Sequence, residues 1–367
     1  MADYIKDMEK EWEEHQNIKV YPNIVVLGVT GCGKSSLINN VFGKDVALVS
    51  DIQPETQEFK TFLGKENGTG INLIDSKGYE LEDNSGSYIE RLKEKITLMK
   101  QEKEEIHIVW FCLSVAKKRV EEMDLAILKK TLEIKELKGR VFVVLTKCDE
   151  DDEEGSVAKE YRKVLNDSFT DLRIYEVSIE EELDLEIDKL LEDSALSLDN
   201  DDLRNSFIGT QSKNLELKKS QASSALSKYI VMASGIGAVP IPFSDSALLI
   251  PLQLKMITEI TDIYGMRNIS TFSKGVVSNI VISNIGKSLA GSIIKFIPGV
   301  GSIVGGVINA GVASSITYGL GKAVSEICLS NCKKVLNGEK ISPLEIFNSD
   351  ILVALSKKFF EEYMKKN

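Results

Sequence analysis

The chain has 367 residues, with 45 Lys and Arg against 56 Asp and Glu, a net charge of −11. That length predicts two domains and a large buried core. The acidic balance argues against a protein that grips nucleic acid, because phosphate contacts need clustered Lys and Arg. Charge is unevenly spread: residues 1–200 carry −17 and residues 201–367 carry +6, so an acidic first half precedes a mildly basic, apolar second half.

Residues 1–20 read as an acidic N-terminal helix with Ile5, Met8 and Trp12 on one stripe. No apolar signal region follows Met1, so a cytoplasmic protein is expected. Asn23–Leu27 is an apolar run of strand type, and Gly28-Val-Thr-Gly-Cys-Gly33-Lys34-Ser35 then fits the phosphate-loop pattern G-x-x-x-x-G-K-[ST]. A helical pattern with Leu37 and Val41 on one face comes next. Strand, loop and helix in that order are what the chemistry requires. Glycines let the backbone wrap an anion, its N–H groups point inward, and the helix N-terminus adds a favourable dipole. Gly28, Thr30, Gly31, Cys32, Gly33, Lys34, Ser35 and Ser36 are the candidate cradle. Lys34 would reach the β- and γ-phosphates, and the Ser35 hydroxyl would coordinate Mg²⁺. A nucleoside triphosphate is the implied ligand.

Thr56, in Gln53-Pro-Glu-Thr-Gln57, is the candidate mobile threonine that completes the Mg²⁺ shell, with Thr61 as runner-up. Ile71-Asn-Leu-Ile-Asp75-Ser-Lys-Gly78 is a strand ending in D-x-x-G. Asp75 would hold the Mg²⁺ shell through water, and the Gly78 N–H would touch the γ-phosphate. Tyr79 follows, where many switch GTPases carry a glutamine that positions the attacking water. Slow intrinsic turnover is therefore expected, with help from a partner, a second copy or another loop. Arg119 is one internal candidate, set against its reading as a solvated loop charge.

Val141–Leu145 reads as another buried strand and ends in Thr146-Lys147-Cys148-Asp149. An aspartate there accepts from both the ring N–H and the exocyclic amine of guanine, whereas adenine offers no such pair. Lys147 can lay its stem along the base, Thr146 stands where many GTPases carry Asn, and Ser178 closes the last strand as a backup to the base site. Guanine nucleotide, as GTP or GDP, is the expected ligand, with Lys34, Thr56 and Gly78 nearest the reacting phosphate.

Strands are expected near 22–28, 57–63, 70–75, 106–113, 140–145 and 172–178, with helices such as 88–100 and 121–137 between them. That alternation implies a mainly parallel, doubly wound α/β sheet spanning residues 21–195. Residues 196–215, rich in Ser, Asp and Asn, read as a linker, and 216–367 as an all-α domain. Within the latter, Phe296–Leu320 is an uncharged stretch of 25 residues in a glycine-rich segment, long enough to cross a hydrocarbon layer. Pro298-Gly-Val-Gly301 interrupts it, and small residues at four-residue spacing suit close helix packing in lipid or in a soluble bundle alike. Both readings stand: membrane contact at the inner face of the cell membrane, peripheral or integral, or a soluble bundle. The five cysteines suggest a reducing compartment. Cys328 and Cys332, four apart on one helix, are read as core in preference to a shared metal site.

The motifs G-V-T-G-C-G-K-S-S-L-I-N, P-E-T-Q, D-S-K-G and T-K-C-D, taken together, resemble the Era-like branch of bacterial P-loop GTPases. Strand Ile106–Leu113 resembles one sub-branch, in which the G domain precedes a helical domain of unassigned function. Phe207–Gln211, Val239–Leu249 and Ile297–Gly301 are similar to that helical domain. A more distant likeness is to the immunity-related, interferon-inducible GTPases of vertebrates, which act at membranes. The resemblance implies GTP hydrolysis to GDP and phosphate, with the helical domain as a switch or mechanochemical element. A homodimer through G domains and a membrane surface are the implied partners, with no nucleic acid. Two alternatives remain: a nucleotide-gated scaffold with negligible turnover, and a ribosome-assembly GTPase. The latter is disfavoured by the lack of a basic, G-x-x-G-bearing RNA module in the second half.

Overall fold

The computed structural model describes residues 21–43, 59–62, 70–76, 85–180, 185–237, 241–242, 249–266, 307–308, 310–339 and 349–366. The chain divides between Asn214 and Leu215 into two compact units.

Among the described residues, the first unit has six strands: β1 Asn23–Gly28, β2 Phe59–Phe62, β3 Asn72–Ser76, β4 Ile108–Ser114, β5 Val141–Thr146 and β6 Ile174–Glu176. Their order is β2-β3-β1-β4-β5-β6, with β2 antiparallel to β3 and every other pair parallel. Residues of β1, β4 and β5 are buried throughout, as expected for central parallel strands covered on both faces. The covering helices are α1 Lys34–Phe42, α2 Ser85–Gln101, α3 Glu122–Leu132, α4 Ser156–Ser168, α5 Ile187–Leu196 and α6 Asp201–Thr210. The expected helix 121–137 ends early, at Leu132, and a 3-10 turn takes Lys135–Leu137.

Helix α6 corrects the expectation of a linker over 196–215. Asn200 caps it by accepting from the N–H groups of Asp202 and Leu203, and Leu203, Phe207 and Ile208 form a buried stripe. The ring of Phe207 meets Phe42 edge-on at 6.0 Å, and Phe42 stacks on Trp110 at 5.7 Å. Trp110 Nε1 in turn donates to Ser194 Oγ. Ser206 and Thr210 clamp Gly70 from both sides of its peptide, Ser206 Oγ donating to the Gly70 carbonyl and the Gly70 N–H donating to Thr210 Oγ1. The Ser, Asp and Asn content that suggested a linker thus serves a helix cap and a docking seam. The first unit runs to Asn214.

In the second unit, helix α9 Ala310–Leu336 is the centre, with nearly every residue from Val312 to Leu329 buried. Helices α7 Leu215–Ile236, α8 Leu249–Ile263 and α10 Ser349–Lys366 pack around it. Two glycines make the close approaches possible. A Cβ at Gly319 would stand 2.6 Å from the Ser356 carbonyl oxygen, and one at Gly321 would stand 2.4 Å from Leu226 Cδ1. Tyr264 OH bonds Ser325 Oγ, and Tyr318 packs on Tyr363. Lys218 of α7 is buried, and burial pulls its ammonium pKa down to about 8. Cys328 is buried, and Cys332 Sγ lies 3.6 Å from the Tyr264 carbonyl.

The all-α expectation needs one amendment: β7 Ile241–Pro242 pairs antiparallel with β8 Val307–Ile308. Extended backbone at Val307–Ile308 also means that Phe296–Leu320 is not one continuous helix. Among the described residues, no helix is long and apolar enough to cross a membrane. The segment 286–321 enters the described residues as β8 and the first turns of α9. Its remainder, the Pro298–Gly301 break and the N-terminal helix expected over 1–20 lie outside them.

Candidate functional site

The phosphate loop joins β1 to α1, and its conformation is set by three glycines with positive φ: Gly28 at 146°, Gly31 at 77° and Gly33 at 94°. Side chains rarely tolerate such angles. At Gly28 there is no room either, since a Cβ would lie 2.6 Å from the Cys112 carbonyl oxygen. Gly33 is the N-cap of α1, with no side-chain cap and no acid in the first turn, so the helix end is electrostatically open to an anion. Thr30, Ser35 and Ser36 are exposed around this end. Lys34 is only 8% exposed, and its ammonium donates to the carbonyls of Gly28 (3.0 Å) and Val29 (3.2 Å). Phosphate oxygens would give that cation stronger, charge-assisted bonds than two neutral carbonyls do.

The base loop follows β5. Thr146 is buried, and its hydroxyl donates to the carbonyl of Cys32 in the phosphate loop. This bond stitches the two loops together, and Thr146 also lines the cleft between them. Lys147 adopts a left-handed conformation, φ 58°, and its Cγ lies 4.0 Å from where a Gly33 Cβ would stand. Asp149 is held by Ser178, whose hydroxyl donates to Asp149 Oδ1 at 2.6 Å while accepting from the Glu180 N–H. Ser178 therefore acts by orienting the carboxylate. Gly33, Ser36, Thr146, Lys147, Asp149 and Ser178 line one cleft of about 100 Å³ with Glu150, joined by Leu37, Val177 and Ile179. The last three were not singled out from sequence, because apolar residues beside strand ends carry no signal separating a ligand wall from core.

The remaining predicted residues are placed less fully. Asp75 lies on β3 opposite Val26 of β1. Thr56, Gly78 and Tyr79 lie outside the described residues. Arg119 is 77% exposed and pairs with Glu121 at 2.9 Å, a solvated loop charge.

Strand order, phosphate loop and base loop settle the architecture. The fold is a P-loop G domain followed by a helical region. Residues 23–147 match the family model described as 50S ribosome-binding GTPase. The chain is 28% identical over 145 residues to Magnetosome membrane protein 22 of Magnetospirillum gryphiswaldense, covering 38% of this chain and 69% of that protein. It is 35% identical over 92 residues to GTPase Der of Clostridium botulinum, covering 25% and 20% of the two chains. Among solved structures, Aquifex aeolicus Era aligns over 57% of this chain and 67% of its own, with 20% identity and a TM-score of 0.32. The match to Der spans about a fifth of that protein's length.

Proposed function

We propose that this protein binds GTP and GDP at the cleft between the phosphate and base loops and hydrolyses GTP to GDP and phosphate at a low intrinsic rate. The observation that carries the reading is the convergence of Gly33 and Ser36 from the start of α1 with Thr146, Lys147 and a Ser178-braced Asp149 on one cleft, beside a loop that holds the buried ammonium of Lys34. Asp149 selects guanine because adenine lacks the paired ring N–H and exocyclic-amine donors that its carboxylate would accept from. Magnesium is the expected companion ion. The residues fit it, since Ser35 presents an exposed hydroxyl at the uncapped start of α1 and Asp75 lies on the neighbouring strand. Ser35, Thr56 and Asp75 would hold the ion, whose charge offsets that of the phosphates. Lys34 and the N–H of Gly78 complete the grip on the terminal phosphate.

Tyr79 supports slow turnover, because a phenol does not orient water as a glutamine carboxamide does. The exposed Arg119 pairs with Glu121, which favours its reading as a solvated charge over that of an internal donor. The missing group then comes from a partner, a second copy or another loop, and the helical unit reports or transmits the nucleotide state. The kinship of 145 residues with a protein named as a magnetosome membrane protein supports a membrane surface as one setting.

Two measurements test this. A competition titration should give micromolar or tighter GDP and ATP at least about a hundredfold weaker; equal affinities would reject the guanine site. Single-turnover hydrolysis should be slow in dilute protein and rise with protein concentration, with or without lipid vesicles. A fast rate independent of concentration would remove the need for a partner, and no turnover under any condition would leave a nucleotide-gated scaffold.

A further inference from the structure

Two thiols share the space beneath the phosphate loop. The parallel register of β1 and β4 sets Gly28 beside Cys112. Cys32 folds back under the loop, its N–H donating to the Val29 carbonyl. A Cβ at Gly28 would stand 2.7 Å from the Cys32 sulfur and 3.2 Å from Cys112 Cβ, so both side chains crowd around the place of one missing methyl. The two thiols are hydrogen-bonded to each other, and this bond, aided by the nearby Lys34 ammonium, holds the Cys32 pKa below its ordinary value despite burial. A lowered thiol pKa marks the nucleophile of a pair. Both cysteines are free thiols.

We propose that Cys32 and Cys112 are a modification site: a reversible disulfide that closes the phosphate loop to nucleotide. The oxidant is a peroxide. The Cys32 thiolate attacks one peroxide oxygen, the O–O bond breaks, and water leaves a sulfenic acid on Cys32. The Cys112 thiol then attacks that sulfur, the S–O bond breaks, and a second water carries away the oxygen. Two thiols have lost two electrons and two protons to one peroxide.

The bond has consequences for both loops. An S–S bond is about 2.05 Å long, well inside hydrogen-bonding separation, so Cys32 must be drawn towards β4. Cys32 lies between Gly31 and Gly33, whose left-handed geometry shapes the anion cradle, and its carbonyl is the anchor of Thr146. Drawing it inward disturbs the phosphate N–H groups and loosens the base loop together. Cys32 and Cys112 are buried, whereas Thr30 and Gly31 above them are exposed. In this proposal the oxidant reaches them past that exposed end of the loop, on the face that nucleotide would cover. Nucleotide and disulfide oppose each other, each weakening the other by the same factor.

This inference rests on the nucleotide-binding reading, and the experiment separates the two. Reduced, nucleotide-free, full-length protein is first titrated with fluorescent GDP, then treated with one equivalent of hydrogen peroxide. The expected result is an intact mass lower by two hydrogens, a Cys32–Cys112 linked peptide, and GDP affinity reduced at least about tenfold, restored by dithiothreitol. GDP-loaded protein should form the disulfide at least about tenfold more slowly. Cys112→Ser should bind GDP like the reduced parent and lose no hydrogens on treatment. Five unchanged thiols, pairing through Cys148, Cys328 or Cys332 instead, or a Cys32–Cys112 disulfide with unaltered GDP affinity would each overturn the proposal. Failure of the reduced protein to bind GDP would instead sink the nucleotide reading, with the linked peptide still deciding the disulfide.

Discussion

Gly28 in the sheet unit and Gly319 in the helical unit face the same steric demand. At each, a Cβ would stand 2.6 Å from a backbone carbonyl, that of Cys112 on β4 or that of Ser356 on α10. Their uses differ. Gly28 has φ 146° and releases the chain from a buried strand into the loop whose first carbonyls hold the Lys34 ammonium. Gly319 stays helical and lets two helices close on each other, with buried side chains along α9 on either side. One glycine opens the fold to chemistry, and the other shuts it against solvent.

If that division holds, substitutions in the two units should separate binding from stability. The largest effect is expected at Lys34. Lys34→Ala should lower GTP affinity at least about a hundredfold, through lost charge-assisted bonds in a buried site, while leaving the melting temperature nearly unchanged. Calorimetric titration and thermal melting on the same sample check both halves. Next, Asp149→Asn should reduce the preference for GDP over ADP by about ten- to a hundredfold. Ser178→Ala should weaken GDP by only about two- to tenfold, the worth of one orienting hydrogen bond. An Asp149→Asn variant that keeps full guanine preference would show that the base is read elsewhere.

The helical unit should respond in the opposite sense. Gly319→Ala should destabilise by about 1–3 kcal/mol, because the Ser356 carbonyl is backbone and cannot move aside cheaply. Gly321→Ala should cost much less. Its nearest neighbour is the far end of Leu226, and alanine gains about 1 kcal/mol of helix propensity over glycine. Denaturant melts should rank them in that order, with GDP affinity unmoved in both. The smallest effect concerns pH. Burial lowers the Lys218 ammonium from 10.5 to about 8, so between those values the unfolded chain binds more protons than the folded one. Stability should therefore rise with pH across that window as the folded state sheds its costly charge. The slope over pH 8–10 should be shallower in Lys218→Met than in the parent; equal slopes would mean that Lys218 stays charged.

The same contrast explains what could be read in advance. The phosphate and base loops were legible because their chemistry dictates residue types at short spacing: Lys34 after three glycines, Asp149 after a buried strand. The sheet was legible because strands buried on both faces are continuous apolar runs, as β1, β4 and β5 are. Helix α6 was missed because the polar residues that cap and dock it look like a linker when its partners Gly70 and Phe42 are far off in sequence. The bond from Thr146 to the Cys32 carbonyl was missed for a similar reason, since nothing local announces it. In the helical unit, glycine enrichment was visible, but whether lipid or protein fills the space is decided by neighbours that sequence spacing does not reveal. At Gly319 they are Ser356 and Phe360, and at Gly321 Leu226 and Met256.

The brace on Asp149 and the tether on Thr146 are separate bonds to separate loops, one from Ser178 and the other to Cys32. Base choice can therefore be rewritten without loosening the hold on phosphate. Xanthine carries a carbonyl where guanine carries its exocyclic amine, and an amide at position 149 offers that carbonyl a donor while its own oxygen still accepts from Ser178. If the proposed base reading holds, an Asp149→Asn protein is suited to xanthosine nucleotides in place of guanosine nucleotides, an orthogonal handle on this one protein.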